Sequence, residues 1–486
     1  MKKISIYLQI AALFVLTSSC ELSLEPYNGK EAGTLFTTTE GIQTATLGNY
    51  SFLKTLDYAT FYHYITEYPS DNVTLSGSTG NNFFFAYNYR HLVEMTQTSR
   101  FWRRAYEAIY GANKVIENLE TGKSPELDQL LGENLYLRAM LHFDLVNTFG
   151  RPYAQNKGNN PGVMIRKDTD VSALPPRSSV AEVYDFVISD LIMAETLLKS
   201  TKNSSFASKE VVQALLARVY LYKEDNAKAI EYADKVLKSG RYKLVDTEAY
   251  KKFFTMSNES NPETIFAIKH MVVDDLAKDA IGSMYDGTAG LGWGEMYASE
   301  SYRNLLNKYP TDARQSFVQP SYVKDAAGNQ VIAARNGIPK YFILKYSGQD
   351  GIQTLSSPIY LRLAEMYLTR AEANAKLGNA QKAIDDVNVI RTRAGLTGTA
   401  LYSVTDLKGH TSVLNVVLEE RRLELAFECL RKFDVFRNNL PMVRNYPGYH
   451  LLSGQNTQVI EPTDPRVIYF IPQQEIVLNP NLTQNP

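Results

Sequence analysis

The sequence predicts a mainly α fold, a scaffold of helical hairpins interrupted by long irregular insertions with a few short strands. Three observations carry this. One helical hairpin occurs twice, apolar residues recur at helical spacing around both copies, and between the copies that period vanishes for 115 residues.

The clearer copy spans residues 358–395, PIYLRLAEMYLTRAEANAKLGNAQKAIDDVNVIRTRAG. Ser357 is an expected N-cap, and Pro358 suits the first helical position, where its missing N–H costs nothing. Ile359, Leu363, Met366, Tyr367 and Ala371 form one stripe, Gly378-Asn379 turns the chain, and Ala383, Ile384, Val387 and Ile390 form the second stripe before Gly395. Residues 210–240 superpose on this unit at an offset of 154. Ala217 falls on Ala371, and Lys228-Ala229-Ile230 falls on Lys382-Ala383-Ile384, so two alanines sit twelve residues apart in each copy. Small residues there let two helices approach closely, which is the tetratricopeptide (TPR) pattern. Such a hairpin cannot bury its apolar face alone, so further helices should stack beside it.

Those helices are expected at 38–54, 98–119, 125–149 and 178–198, the last opened by a serine with Glu182 in capping-box position. Residues 57–90, rich in Tyr, Phe, Asn, Gly and Ser, show no period and are expected to be loop. The insertion at 241–355 holds two strand-like runs, 264–269 and 341–346, and a glycine- and aromatic-rich segment at 283–302. A last long helix is expected at 414–437, followed by a tail irregular except for 467–471. At the other end, Lys2 and Lys3 precede an apolar run at 4–16 and then Thr17-Ser18-Ser19-Cys20. This reads as a lipoprotein signal, 1–19, with lipid attached at Cys20. The remainder, 20–486, is expected to be a single domain, with TPR-type helices at about 98–240 and 356–437 and ligand-binding insertions at about 57–97 and 241–355.

The formal net charge of -1 offers no basic footprint, which argues against nucleic acid. The six histidines show no metal-ligand spacing, and Cys20 and Cys429 are not expected to pair. No HExxH, GxSxG or phosphate-binding loop is present, so the chain is expected not to be an enzyme and to need no cofactor or metal. The charged run from Glu419 to Arg431 reads as structural ion pairs at i,i+3 and i,i+4 spacing.

Two aromatic loops are the expected ligand site. Phe83, Phe84, Phe85 and Tyr87 come from the first, and Tyr285, Trp293 and Tyr297 from the second. An exposed ring offers an apolar face to a sugar or a peptide side chain, and Asp71 and Asn72 beside the first loop could fix orientation or act as turn caps. Trp293 stands between Gly292 and Gly294, which marks a loop and not core. At least one of the three consecutive phenylalanines should pack inward. Two rival readings stay open: a glycoside-acting enzyme using Asp286 and Glu295, and a TPR scaffold for protein partners.

Longer motifs carry a resemblance. Ser70-Asp71-Asn72-Val73, Tyr136-Leu137-Arg138-Ala139 with Phe149-Gly150 and Pro152, the hairpin at 360–395, the helix from Leu418 through Arg437, and the C-terminal Ile471-Pro472 to Pro486 all resemble the SusD/RagB family of nutrient-binding surface lipoproteins of Bacteroidetes. The match spans nearly everything after the signal, and Cys429 departs from it where the family usually has glycine. The resemblance implies a TPR scaffold with loops that build a ligand site, in the regions of both aromatic loops. It also implies a lipid-anchored outer-membrane protein that faces outward, and a SusC-like TonB-dependent β-barrel importer as partner. The family's ligands are mostly glycans, and peptides in some RagB-like members.

Overall fold

The computed structural model describes residues 35–77 and 83–486; the signal segment and Cys20 lie outside the described residues. The N-terminal part contains α1 (Thr39–Leu53), a π-helical turn (Leu56–Thr60), α2 (Phe61–Glu67), β1 (Val73–Leu75) and the short α3 (Phe84–Tyr87). Two long helices follow, α4 (Thr96–Glu117) and α5 (Pro125–Phe149), then α6 (Val180–Leu197) and the first hairpin, α7 (Lys209–Tyr222) and α8 (Asn226–Leu237). The insertion contributes β2 (Thr264–Ala267), β3 (Met296–Ala298), β4 (Val318–Pro320) and β5 (Tyr341–Ile343). After it come β6 (Ile359–Arg362), the second hairpin α9 (Leu363–Lys376) and α10 (Ala380–Arg393), α11 (Val413–Glu424), α12 (Arg431–Arg437), and the hairpin of β7 (Met442–Arg444) and β8 (Gln458–Ile460).

The helices from α4 to α11 pack in succession, and α8 packs on α9, so the two repeat copies are neighbours despite the insertion between them. Ala217, Ala229, Ala371 and Ala383 are all fully buried at these helix contacts. Caps set the starts: Ser124 accepts from Leu127 N, Ser208 from Val211 N, and Ser179 and Glu182 close the expected capping box. The strands form two-stranded antiparallel pairs, β1 with β3, β2 with β6, β4 with β5, and β7 with β8. The insertion is thereby tied to the N-terminal part at Val73↔Ala298 and to the second hairpin at Ile359↔Ala267.

Five expectations are corrected. Helix α9 starts at Leu363, not Pro358, because residues 359–362 are extended and pair with β2. The Ser357 hydroxyl accepts from His270 N at 2.9 Å instead of capping a helix. Over its described residues, 57–77 and 83–90, the expected loop contains the π-turn, α2, β1 and α3 and is largely buried; residues 78–82 of that loop lie outside the described residues. It shows no amphipathic period because both sides of these short elements meet protein. The expected helix at 414–437 breaks between α11 and α12, where Phe427 and Cys429 adopt φ of 70° and 65°. Both backbone N–H groups there donate to the Glu67 carboxylate, at 3.2 and 2.9 Å, and this tertiary contact overrides helix propensity. Cys429 thus occupies a left-handed position, which suits glycine. In the tail, order comes from β7 and β8 and from a short helix, Gln473–Leu478, while of the expected regular stretch 467–471 only Val467 belongs to an element, the 3-10 turn Pro465–Val467.

The charged run is structural, as expected, but its pairs span elements. Glu424 binds Arg362 and Arg393, Glu420 binds Arg314 and Arg391, and Glu428 binds Lys345 and Arg362.

Candidate ligand-binding cleft

An open cleft of about 700 Å³ lies between α2, the start of α4 and the 278–293 segment of the insertion. Phe61 and Tyr64 form its floor. Phe83 packs edge-on against Tyr64, with ring centroids 4.4 Å apart, and Phe85 lies beside it with 36% of its surface exposed. Trp293 lines the cleft from the insertion and is 52% exposed.

Trp293 is held rather than loose. Its indole Nε1 donates to the Lys278 carbonyl at 3.0 Å, its backbone N–H donates to Ser283 Oγ at 3.2 Å, and Lys278 Nζ sits 4.6 Å from the ring centroid. The flanking glycines make this possible. A Cβ on Gly292 would lie 2.1 Å from the Asp286 carbonyl oxygen, and Gly294 has φ of +52° with Gly287 Cα 2.6 Å from where its Cβ would be. The loop folds back on itself at van der Waals distance and presents the ring outward.

Of the expected site residues, Phe83 and Trp293 meet in this cleft, with Phe85 between Phe84 and the opening. The others lie in the protein interior. Phe84 is buried and packs edge-on against Phe85. Tyr87 hydrogen-bonds His450 Nδ1 at 2.7 Å, and Tyr285 hydrogen-bonds His63 Nε2 at 2.7 Å. Tyr297 is fully buried with its ring against Phe342. Asp71 takes Arg431 in a bidentate pair at 2.7 and 2.8 Å, and Asn72 Oδ1 accepts from Arg422. Burial would raise the Asp71 carboxyl, but Arg422 and Arg431 outweigh it and hold the group well below the usual carboxylate range. The polar atoms of Asp71, Asn72, Tyr87 and Tyr285 are engaged within the protein, and none of these residues lines the cleft. Asp286 and Glu295 are likewise engaged, the first accepting from Thr288 N and the second pairing with Arg335 at 2.7 Å, and neither lines the cleft.

The polar lining came from residues the sequence reading missed: Glu94, Gln97, Arg100, Lys278 and Asp279. Arg100 pairs with Asp57 at 2.5 Å and covers the Phe61 ring at 5.2 Å. For Glu94 and Gln97 the missing signal was the start of α4: the expected helix began at Thr98, past both of them.

The titration of buried groups gives a testable consequence. Burial lowers the imidazoles of His63, His91, His142 and His450 to about 3. Unfolded histidine titrates near 6.5, so their contribution to stability is present above about pH 6.5 and is lost as pH falls toward 3. Burial raises Glu67 to about 8 and Asp144 to about 6, and these two act in the opposite sense, their contribution being lost as pH rises through those values. The four imidazoles outweigh the two carboxyls. The urea midpoint should therefore fall on going from pH 6.5 to pH 4.5. A midpoint that rises over this interval would mean that the imidazoles are charged in the folded state.

Comparison with known proteins agrees over the whole fold. A family model described as "SusD family" matches residues 282–486, and one described as "Starch-binding associating with outer membrane" matches 49–221. SusD-like protein P2 of Formosa agariphila is 26% identical, with 98% of each chain covered. The starch-binding protein SusD of Bacteroides thetaiotaomicron is 25% identical over 77% of this chain and 75% of its own. Among solved structures, a SusD superfamily protein of Bacteroides thetaiotaomicron superposes with a TM-score of 0.80 at 28% identity, over 92% of this chain and all of its own. A putative sugar binding protein of Bacteroides vulgatus superposes with a TM-score of 0.78 at 27% identity, covering 92% and 98%. With the repeat hairpins, the C-terminal signature and these likenesses in one chain, it belongs to the SusD/RagB family.

Proposed function

We propose that the chain is a surface lipoprotein that binds an oligomeric glycan in the cleft and passes it to a SusC-like TonB-dependent β-barrel importer. The observation that carries this reading is the cleft itself: an open cavity lined by Phe61, Tyr64, Phe83, Phe85 and Trp293 together with hydrogen-bonding side chains, with Phe85 and Trp293 exposed. Flat apolar rings suit the C–H faces of sugars, and polar groups around them fix orientation. The names of the starch- and sugar-binding relatives support the same ligand class. The anchor in this reading is lipid on Cys20 after removal of residues 1–19, and residues 20–486 act as one domain. Among the described residues no helix is long and apolar enough to cross a membrane. The work is binding followed by release to the importer, without turnover.

Stacking plus a few hydrogen bonds supports modest affinity, on the order of micromolar to millimolar, or about 4–8 kcal/mol. Calorimetry of the protein against a panel of polysaccharides and a mixed peptide pool tests the reading. Saturable glycan binding is the expected result. Binding of peptides alone would overturn the ligand class and favour a RagB-like role.

A further inference from the structure

We infer that the cleft contains an oxyanion subsite at the N-terminus of α4, so that its glycan carries acidic groups, carboxylate first. This rests on the glycan-binding reading above and narrows it.

Helix α4 is 22 residues long, and its first turn lines the cleft through Thr96 and Gln97. Its N-cap is Met95, which has no side chain able to cap, and no acidic residue occupies the first turn. The N–H groups of Thr96, Gln97 and Thr98 meet no acceptor among the described residues; the first helical bond is Ser99 N to the Met95 carbonyl at 3.1 Å. These three donors and the positive end of the helix dipole together favour a negative group. Compare α1, α5, α6 and α7, where a threonine or serine side chain fills the same position.

A helix end alone would not make a site. The second observation is Gln97. It is only 7% exposed, it lines the cleft, and its amide has no hydrogen-bond partner among the described residues. The amide is not sealed within the protein but opens on the cleft, so a ligand oxyanion can accept its N–H. One turn further on, Arg100 also lines the cleft, its charge shared with Asp57. Two carboxylates belong to the same lining, Glu94 and Asp279, and neither is bonded to the helix end. The helix terminus, the Gln97 amide and the Arg100 guanidinium therefore form the side of the cleft that reads an acidic substituent, while Phe85 and Trp293 hold the sugar faces. Glu94 sets a like-charge penalty beside it.

The test uses oligogalacturonate, its carboxyl-reduced neutral counterpart, and a sulfated galactan oligosaccharide, each titrated into the protein and into Gln97→Glu and Glu94→Gln variants. The acidic oligomers should bind at least about tenfold more tightly than the reduced one, as charge-assisted hydrogen bonds require. The carboxylated and sulfated arms identify which oxyanion fits. Gln97→Glu should weaken acidic binding about tenfold or more, and by a larger factor than it weakens neutral binding, while Glu94→Gln should strengthen acidic binding. Circular dichroism on both variants checks that they fold. If the neutral oligomer binds as well as the acidic ones, or Gln97→Glu leaves acidic binding unchanged, the subsite is overturned and the glycan reading stands. If none of the oligomers binds and a peptide does, both fail.

Discussion

Replacing Glu424 by alanine should cost a large share of the protein's stability. Glu424 is fully buried where α11 ends. Its carboxylate takes Arg362 Nη1 at 2.5 Å and Arg393 Nη2, lies 3.7 Å from Arg314 Nη1, and accepts from Tyr250 Oη at 3.0 Å. Its carbonyl accepts from Arg362 Nη2 and Lys345 Nζ. The three guanidiniums come from three places: the insertion (Arg314), β6 (Arg362) and the end of α10 (Arg393). One carboxylate therefore joins the insertion to both sides of the second hairpin.

Burial would raise the Glu424 carboxyl, but Arg393, Arg362 and Arg314 outweigh it and hold the group well below the usual carboxylate range. Its contribution is present above the unfolded value near 4.5 and lost as pH falls. A well-packed apolar core could match an intact buried pair, but removing one partner leaves buried charge uncompensated, at about 3–5 kcal/mol. Against a typical total of about 5–15 kcal/mol, that is a large share. The neighbouring carboxylates Glu420, Glu428 and Glu263 lie in the same cluster and soften the loss without replacing its geometry. Urea denaturation at pH 7 measures it. A variant within about 1 kcal/mol of the parent would mean that the arginines find water or other acceptors, and that the network is not what holds the insertion.

The same cluster shows where sequence reading worked and where it stopped. The hairpins were legible because helix contact needs small residues, and alanine at 217, 229, 371 and 383 answers only that need. Long helices with strong caps, such as 125–149, were legible to the residue. Local signals failed where a distant partner decides the backbone. Residues 359–362 read as a helix start until β2 is known to pair with them, and residues 425–430 read as helix until Glu67, some 360 positions away, is seen to capture two of their N–H groups. The site divides the same way. Trp293 was visible from its flanking glycines, a local feature, whereas tyrosines 87, 285 and 297 look alike in sequence whether buried or exposed, and all three are buried. Gln97 and Arg100 carry no local mark: only the fold shows that the first turn of α4 opens on the rings.

Trp293→Ala should abolish most ligand affinity and leave the fold intact. The ring is half exposed and its main internal tie is one hydrogen bond to the Lys278 carbonyl, so truncation should change stability by no more than about 1 kcal/mol. Binding is different. An aromatic anchor in a small site commonly carries about 2 kcal/mol or more, which is roughly thirtyfold in affinity. Removing the ring also frees Lys278, which then meets water instead of a π face. Gly292→Ala separates the ring from its placement. The new methyl would meet backbone oxygens of Asp286 and Ser283 at 2.1 and 2.7 Å, neither of which can rotate away, so the loop must shift while the tryptophan remains. If presentation matters as much as the ring, Gly292→Ala should weaken binding about tenfold as well. Calorimetry on both variants with one glycan decides it. Loss in both places the ligand against Trp293 in its observed pose. Loss in Trp293→Ala alone means the loop tolerates movement, and retention of affinity within about threefold in Trp293→Ala would remove this ring from the binding site altogether.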